Sequence, residues 1–386
     1  MKTTPFSLGF HMPAEWEPHE GTWLGWPHER TDWPGKFAAI PWAYAEIVRH
    51  LARMERVFLL VEDRQAETRA RTILRKSGAN LDAVSFFRVP TDRGWMRDSG
   101  PIAVRNAAGE VAWNDFAFNG WAKYSDHKKD AVVVAKLNRK AARRVWTPEH
   151  KERRVVLEGG SIDVNGRGAL LTTRECLLSP VQERNPGFTE QDYAEVFRRY
   201  LGVTRVLWLE GGIAGDDTHG HVDDLARFVD PQTVVVVVER DPAEENYAPL
   251  RENLALVKTM RDQNGRPLRV ETLPMPAPVY FNGQRLPASY ANFYIANRLV
   301  LVPMFGDAND RVALNTLARL FPKREIVGVP CRDLVLGLGT LHCLTQQQPS
   351  GGRVCAGQPG SERSNATPRE PPFSVAVPTN FPKGHP

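Results

Sequence analysis

Past the first 36 residues, the apolar positions follow one scheme five times over. A helical spacing of apolar residues leads into a short run of β-branched and aliphatic residues, then into a turn rich in glycine or charge. Helical spacing covers 64–76, 126–143, 189–201, 244–262 and 307–320. The strand-like runs that follow are 84–89, 155–157, 205–209, 268–273 and 325–329. After each polar turn the chain reads as strand, tight turn, strand. Examples are Ile102–Val104 with Val111–Trp113, and Ile162–Val164 with Ala169–Leu171, the latter joined through the hairpin pair Asn165-Gly166.

Each polar turn offers one marker: Asp98, Glu158, His221, Asn292 and Cys343. A recurring unit of this size implies similar blocks, stacked in a row or set about one axis. An ordinary alternating α/β sheet would also show helix–strand alternation. The ring is preferred because the chemistry falls at the equivalent point of every unit, and a ring brings those points together. The pattern predicts one domain over 1–348. Residues 1–36 lie outside it, with Trp16, Trp23, Trp26 and Trp33 as an aromatic strap on the core or a flap over a site. Residues 349–386, rich in Pro, Gly, Ser and Arg, are expected to be a disordered tail.

Composition narrows the class. The chain has 386 residues, 42% of them hydrophobic, enough for a sizeable core. Its longest apolar run, Val234 to Val238, suits a buried strand and is far short of a membrane span. No signal pattern opens the sequence, and the four cysteines show no CxxC spacing, so free thiols in the cytoplasm are expected. The net charge is +5, but the basic residues are spread among 45 acidic ones. That reads as solvated faces rather than a nucleic-acid surface.

Cys343 is the sharpest chemical feature, at the end of the glycine-rich, strand-like run Gly337-Leu338-Gly339-Thr340-Leu341-His342-Cys343. Free cysteines are most often buried structural residues, so the nucleophile reading needs partners. On a strand His342 would face away from Cys343, which leaves His221 as the base. Asp223, two positions on, would share a strand face with His221. The string His219-Gly220-His221-Val222-Asp223 also fits an HxHxD metallohydrolase site, but few histidines follow it. Asp98 beside Arg97 could simply shape a turn, and Glu158 before two glycines could cap amides. Together, a thiol, an imidazole and several carboxylates favour a planar cation. Carboxylates take a guanidinium in bidentate fashion and raise the thiol pKa, a penalty that a bound cation reverses. Attack of a thiolate on a guanidinium carbon fits that site.

At this point the sequence resembles the agmatine deiminase family of the guanidine-modifying (pentein) superfamily, which includes bacterial-type peptidylarginine deiminases. The resemblance runs from about Met12 to Gln348 and rests on five motifs: Met12–His19, Trp95–Pro101, Leu157–Gly160, Gly215–Asp224 and Leu341–Gln347. It implies a five-bladed α/β propeller, and conversion of agmatine and water to N-carbamoylputrescine and ammonia, with no metal or organic cofactor. By position, Cys343 resembles the nucleophile, His221 the general acid and base, Asp98 and Asp223 the guanidinium grip, and Glu158 a further site acid. Trp95, Arg97, Asp216 and Asp217 are the expected substrate contacts. The partner is a small guanidinium compound, with no nucleic acid or membrane and with a homo-oligomer left open. Deimination of peptidyl-arginine or free arginine is the near alternative. A metallohydrolase and a non-catalytic cation-binding propeller are the distant ones. The motif departs from the family at Leu338 and Thr340, where three glycines and an Asn are usual.

Overall fold

A computed structural model describes residues 3–351. The expected tail therefore lies outside the described residues from position 352 on. Among the described residues the strands form five sheets of three or four members and two small hairpins.

In the first sheet, β1 (His19–Gly25) runs parallel to β2 (Arg56–Val61), across helix α1 (Ile40–Leu51). Strand β2 runs parallel to β3 (Val84–Arg88), across α2 (Arg64–Lys76). After the short helix α3 (Met96–Ser99), β4 (Ile102–Arg105) pairs antiparallel with β5 (Val111–Asn114). Strand β5 is parallel to β6 (Val145–Trp146), across α4 (Val133–Ala141). The hairpin β7 (Glu149–His150) and β8 (Arg153–Arg154) follows. Then β9 (Asp163–Val164) is antiparallel to β10 (Ala169–Thr173), which is parallel to β11 (Arg205–Leu209) across α5 (Arg174–Leu178) and α6 (Glu190–Leu201).

The scheme recurs twice more. Strands β12 (Ala226–Asp230), β13 (Thr233–Val238) and β14 (Arg269–Pro274) enclose α7 (Tyr247–Thr259). After the hairpin β15 (Val279–Phe281) and β16 (Gln284–Leu286), strands β17 (Tyr294–Ile295), β18 (Leu299–Met304) and β19 (Glu325–Pro330) enclose α8 (Asn309–Leu320). Finally the one-turn helix α9 (Leu341–Leu344) leads into β20 (Thr345–Pro349), which returns antiparallel to β1.

Every main sheet thus has a middle strand with an antiparallel neighbour on one side and, across a helix, a parallel neighbour on the other. Parallel strands sandwiched between layers become continuous apolar runs, and Val234 to Val237 are fully buried as that rule requires.

Three expectations need correction. Residues 1–36 are not outside the repeat: β1 is the middle strand of the first sheet, and its antiparallel neighbour comes from the other end of the chain. Within this segment Trp23, Trp26 and Trp33 are buried. Trp33 donates its indole N–H to the Leu334 carbonyl at 2.9 Å, so these rings are core. At the other end, Pro349 belongs to β20, and the Ser350 amide donates to Pro18 O at 2.9 Å. The predicted strand 155–157 forms no regular strand. Val156 makes an isolated bridge to Ala117.

Candidate active site

Five turns, each just ahead of the antiparallel strand of a sheet, carry the polar side chains. Asp98 lies in α3 before β4. Glu158 begins the turn Gly159–Ser161 before β9. His221 begins the turn Val222–Asp224, which includes Asp223, before β12. Asn292 precedes β17, and Cys343 lies in α9 before β20. Two local expectations are corrected here. Cys343 sits in a helical turn rather than at a strand end, and His221 precedes a 3-10 turn that contains Asp223, so the two do not share a strand face.

The side chains nevertheless converge. The His221 imidazole has Nδ1 3.9 Å from Asp98 Oδ1 and 3.9 Å from Asp223 Oδ1, and Nε2 3.8 Å from Glu158 Oε2. Cys343 Sγ lies 3.7 Å from Asp223 Oδ2. One carboxylate, Asp223, therefore touches thiol and imidazole with its two oxygens. Neither nitrogen of His221, nor Asp223 Oδ1, nor Glu158 Oε2 has a hydrogen-bond partner, although all are buried. Buried polar atoms are normally paired, so unpaired ones at a convergent site mark places for a ligand.

Backbone shape permits this crowding. A Cβ on Gly160 would lie 2.5 Å from His221 Nδ1 and 3.0 Å from Asp98 Oδ1, so this position must be glycine. The Gly160 amide donates to Asp98 Oδ1 at 3.0 Å, and Trp121 Nε1 donates to Asp98 Oδ2 at 2.9 Å. The carboxylate is thereby aimed.

Electrostatics follow from burial and charge. Burial, then the charges of Asp223, Asp224 and Asp98, push the Cys343 thiol well above its ordinary pKa. Burial opposes charging of His221, but Asp98, Cys176 and Glu158 outweigh it and hold the imidazole well above its ordinary value. Burial also raises Asp98. The adjacent acids divide. His342 holds Asp223 low against the cost of burial, whereas burial and the neighbouring Asp223 charge drive Asp224 well up.

Glu158 is fully buried. Burial raises its pKa, but Arg184, with Nε 3.1 Å from Oε1, overrides this and brings it to about 2 from an ordinary 4.5. A depressed carboxylate pKa contributes stability that is complete above the unfolded value and is lost as pH falls towards the folded one. Glu158→Gln should therefore lower the unfolding free energy at neutral pH by about 3 kcal/mol and flatten its decline between about pH 4.5 and 2. Urea unfolding across that window checks this, and an unchanged slope would contradict it.

A cavity of about 340 Å³ opens onto Cys343 and Asp98 and is also lined by Trp95, Trp121, Asp32 and Asp217. Trp95 and Asp217, both expected substrate contacts, face it. Asp217 accepts from Tyr124 Oη at 2.6 Å and also pairs with Lys123. The other two expected contacts lie elsewhere. Arg97 does not line this cavity. Its guanidinium binds Glu15 at 3.0 Å, Gln347 at 2.7 Å and the His342 carbonyl at 3.2 Å. Asp216 spends its carboxylate on the amides of Thr218, Gly220 and His221, which fixes the turn that presents the imidazole. The HxHxD residues do not gather as a metal site. The His219 ring turns to Ser179 at 3.1 Å and Glu175 at 3.6 Å.

Several residues of the site were not predicted. Asn292 donates Nδ2 to Cys343 Sγ at 3.1 Å and to Asp224 at 3.0 Å, while its Oδ1 accepts from Thr340 Oγ1 at 2.7 Å and from the His342 amide at 3.0 Å. The repeat marked Asn292, but residue chemistry alone did not suggest a role for an amide. Thr340, one of the two departures from the family motif, supplies that anchoring hydroxyl. Leu338, the other, lines the cavity with φ of 67°, in the left-handed region that favours glycine. His342 faces away from the cavity. Its Nδ1 meets Asp223 at 2.6 Å and its Nε2 meets Glu15 at 2.8 Å, so it orients an acid rather than serving as base.

The model of the Porphyromonas-type peptidyl-arginine deiminase family matches residues 11–349. A Legionella pneumophila protein provisionally named agmatine deiminase is 35% identical over 357 residues, covering 92% of this chain and 99% of its own. The solved agmatine deiminase of Enterococcus faecalis superposes with a TM-score of 0.83 at 32% identity, over 92% of this chain and 99% of that one. A cysteine-to-serine variant of C. jejuni agmatine deiminase, solved with substrate bound, gives 0.77 at 30% identity, over 89% and 97%. The fold is accordingly the α/β fold of these deiminases, the pentein fold. The chain belongs to the Porphyromonas-type peptidyl-arginine deiminase family.

Proposed function

We propose that this protein is a hydrolase of the guanidinium C–N bond, acting on agmatine to give N-carbamoylputrescine and ammonia. The observation that carries the reading is the convergence on one cavity of a buried thiol and several carboxylates, backed by an imidazole with both nitrogens free. The names of the similar proteins support it.

In this reading Asp98 and Asp223 hold the planar cation, as carboxylates hold a guanidinium. The bound positive charge offsets the acids around Cys343 and lowers the pKa of its thiol, so substrate helps to ionise its own nucleophile. Sγ then bonds to the guanidinium carbon. His221, charged before reaction, gives a proton to the departing nitrogen, and ammonia leaves an S-linked amidino intermediate. The now neutral imidazole takes a proton from water, whose oxygen attacks the same carbon. The C–S bond breaks, the ureido product leaves and the thiol is regained. Glu158, fixed by Arg184, orients His221.

The five sheets are taken as five blades about one axis, because their equivalent turns meet at the site. A cytoplasmic setting is part of the proposal and rests on three unpaired buried cysteines, Cys176, Cys331 and Cys343. No helix among the described residues is long and apolar enough to cross a membrane.

The cavity favours agmatine over arginine. Asp32, Asp98 and Asp217 line it, and its lining cation, Arg93, is already paired with Asp32 and Asp126. An α-carboxylate there finds no free positive partner, whereas a second ammonium finds acids. Incubation with agmatine, arginine and a blocked arginyl peptide, with and without chelator, should release ammonia and ureido product fastest from agmatine, with no loss of activity in chelator. Preference for either arginyl compound would overturn the assignment of substrate. Loss of activity on chelation would overturn the mechanism.

A further inference from the structure

We propose that Glu158, Cys176 and His221 form a binding site for a thiophilic divalent cation of the zinc class, and that an ion held there shuts the enzyme off by occupying His221. One ligand atom from each of the three residues lies within 4.8 Å of the others, and all three residues are buried. Ligands bound at about 2.0–2.3 Å in a tetrahedron stand roughly 3.3–3.8 Å apart. His221 Nε2 and Glu158 Oε2 stand 3.8 Å apart. These two atoms are also buried without hydrogen-bond partners, so both are available to an ion.

The donor set selects the metal. One thiol, one imidazole and one carboxylate suit zinc and its relatives. Magnesium and calcium prefer all-oxygen shells. Three protein ligands leave a tetrahedral ion one open position. The outer groups are also in place. Arg184 holds Glu158 Oε1 at 3.1 Å and so leaves Oε2 for the ion. Asp98 and Asp223 face the opposite ring nitrogen of His221 at 3.9 Å. Carboxylates beside the far nitrogen of a liganding histidine are the usual supporting arrangement. Asp98 also lines the substrate cavity, which offers an acidic path inward.

Binding displaces the Cys176 thiol proton and the His221 ring proton to solvent and replaces them with M²⁺. The imidazole then keeps a single proton, on Nδ1 beside Asp98 and Asp223, and with Nε2 held by the ion it can no longer pass between charged and neutral forms, so turnover stops although Cys343 is untouched. Cys176 touches neither substrate nor the reacting atoms in the deimination proposed above.

A rival cluster of Asp223, Asp224 and Cys343 lies close by, so the test removes it first. In the Cys343→Ala variant, Co²⁺ should bind with a thiolate-to-cobalt charge-transfer band, and Zn²⁺ should displace it. Adding Cys176→Ser or Cys176→Ala should abolish the band and weaken Zn²⁺ binding more than about 100-fold. Adding His221→Asn should keep the band but weaken binding at least about 10-fold, with circular dichroism reporting the fold of each variant. If Cys343→Ala gives no band, the ion belongs to the nucleophile cluster or to none. If the band survives loss of Cys176, another thiol binds it. Either result overturns the site. Because the readout is metal binding by an inactive variant, it stands or falls separately from the assignment of agmatine as substrate.

Discussion

Cys343→Ala should release no ammonia from agmatine, a fall of at least about 10⁴-fold in kcat, while still binding the substrate. The size follows from the role, since the sulfur forms the bond through which the reaction runs. Retained binding follows from the geometry. The carboxylates that grip the cation, Asp98 and Asp223, are held chiefly by Trp121, Gly160 and His342, and the thiol adds only a long 3.7 Å contact to Asp223. Removing Sγ should also relieve a thiol that crowds acids, so the KM-independent affinity for agmatine should hold or improve. Calorimetry on the inactive variant measures this. A variant that neither turns over nor binds would assign Cys343 to structure.

Asp223→Asn should move two observables in opposite directions. Asp223 is the ionised member of the acidic pair and touches both Sγ and the imidazole. Losing one side of a desolvated charge pair costs about 2–5 kcal/mol, so agmatine binding should weaken by roughly 30- to 5000-fold. In the free enzyme the same change removes a negative charge 3.7 Å from the sulfur. The thiol pKa then falls, and the thiolate fraction at a fixed mildly alkaline pH rises. Alkylation of Cys343 by a small neutral reagent should therefore speed up, by less than the gain in thiolate because a less basic thiolate is a weaker nucleophile. Slower alkylation in the variant would mean that Asp223 activates the thiol, contrary to the scheme in which substrate does.

Much of this was legible in the sequence because the informative features are local. The helix at 64–76 has the bounds its apolar spacing implies, with Asp63 accepting from the Ala66 amide at its start. The helix expected from Thr189 begins there, with Thr189 and Asp192 closing a capping box. The polar turns before the hairpins hold the site because the same unit recurs. What could not be read depends on distance. Strand β1 is buried on both faces, so it shows no alternation, and its partner β20 lies at the other end of the chain. Helix α1 sits between two strands of a sheet whose first strand was not recognised. Arg97 looked available to substrate, because nothing in sequence shows Glu15 and Gln347 waiting for it. Read as part of a strand, His342 faces away from Cys343 and has no role. It does point away from the cavity, but on a helical turn, and its role is to fix Asp223 from behind. Asn292 carries no charge and no nucleophile, so residue type gave no hint that it would touch the sulfur.

The claim beneath all of these is that carbon from the substrate becomes bonded to one particular sulfur. Acid quenching during turnover of agmatine, followed by peptide mass analysis, should show the peptide containing Cys343 heavier by agmatine less ammonia, with the peptide of Cys176 unmodified. Normal turnover with no such adduct at any quench time, or an adduct on another residue, would contradict it.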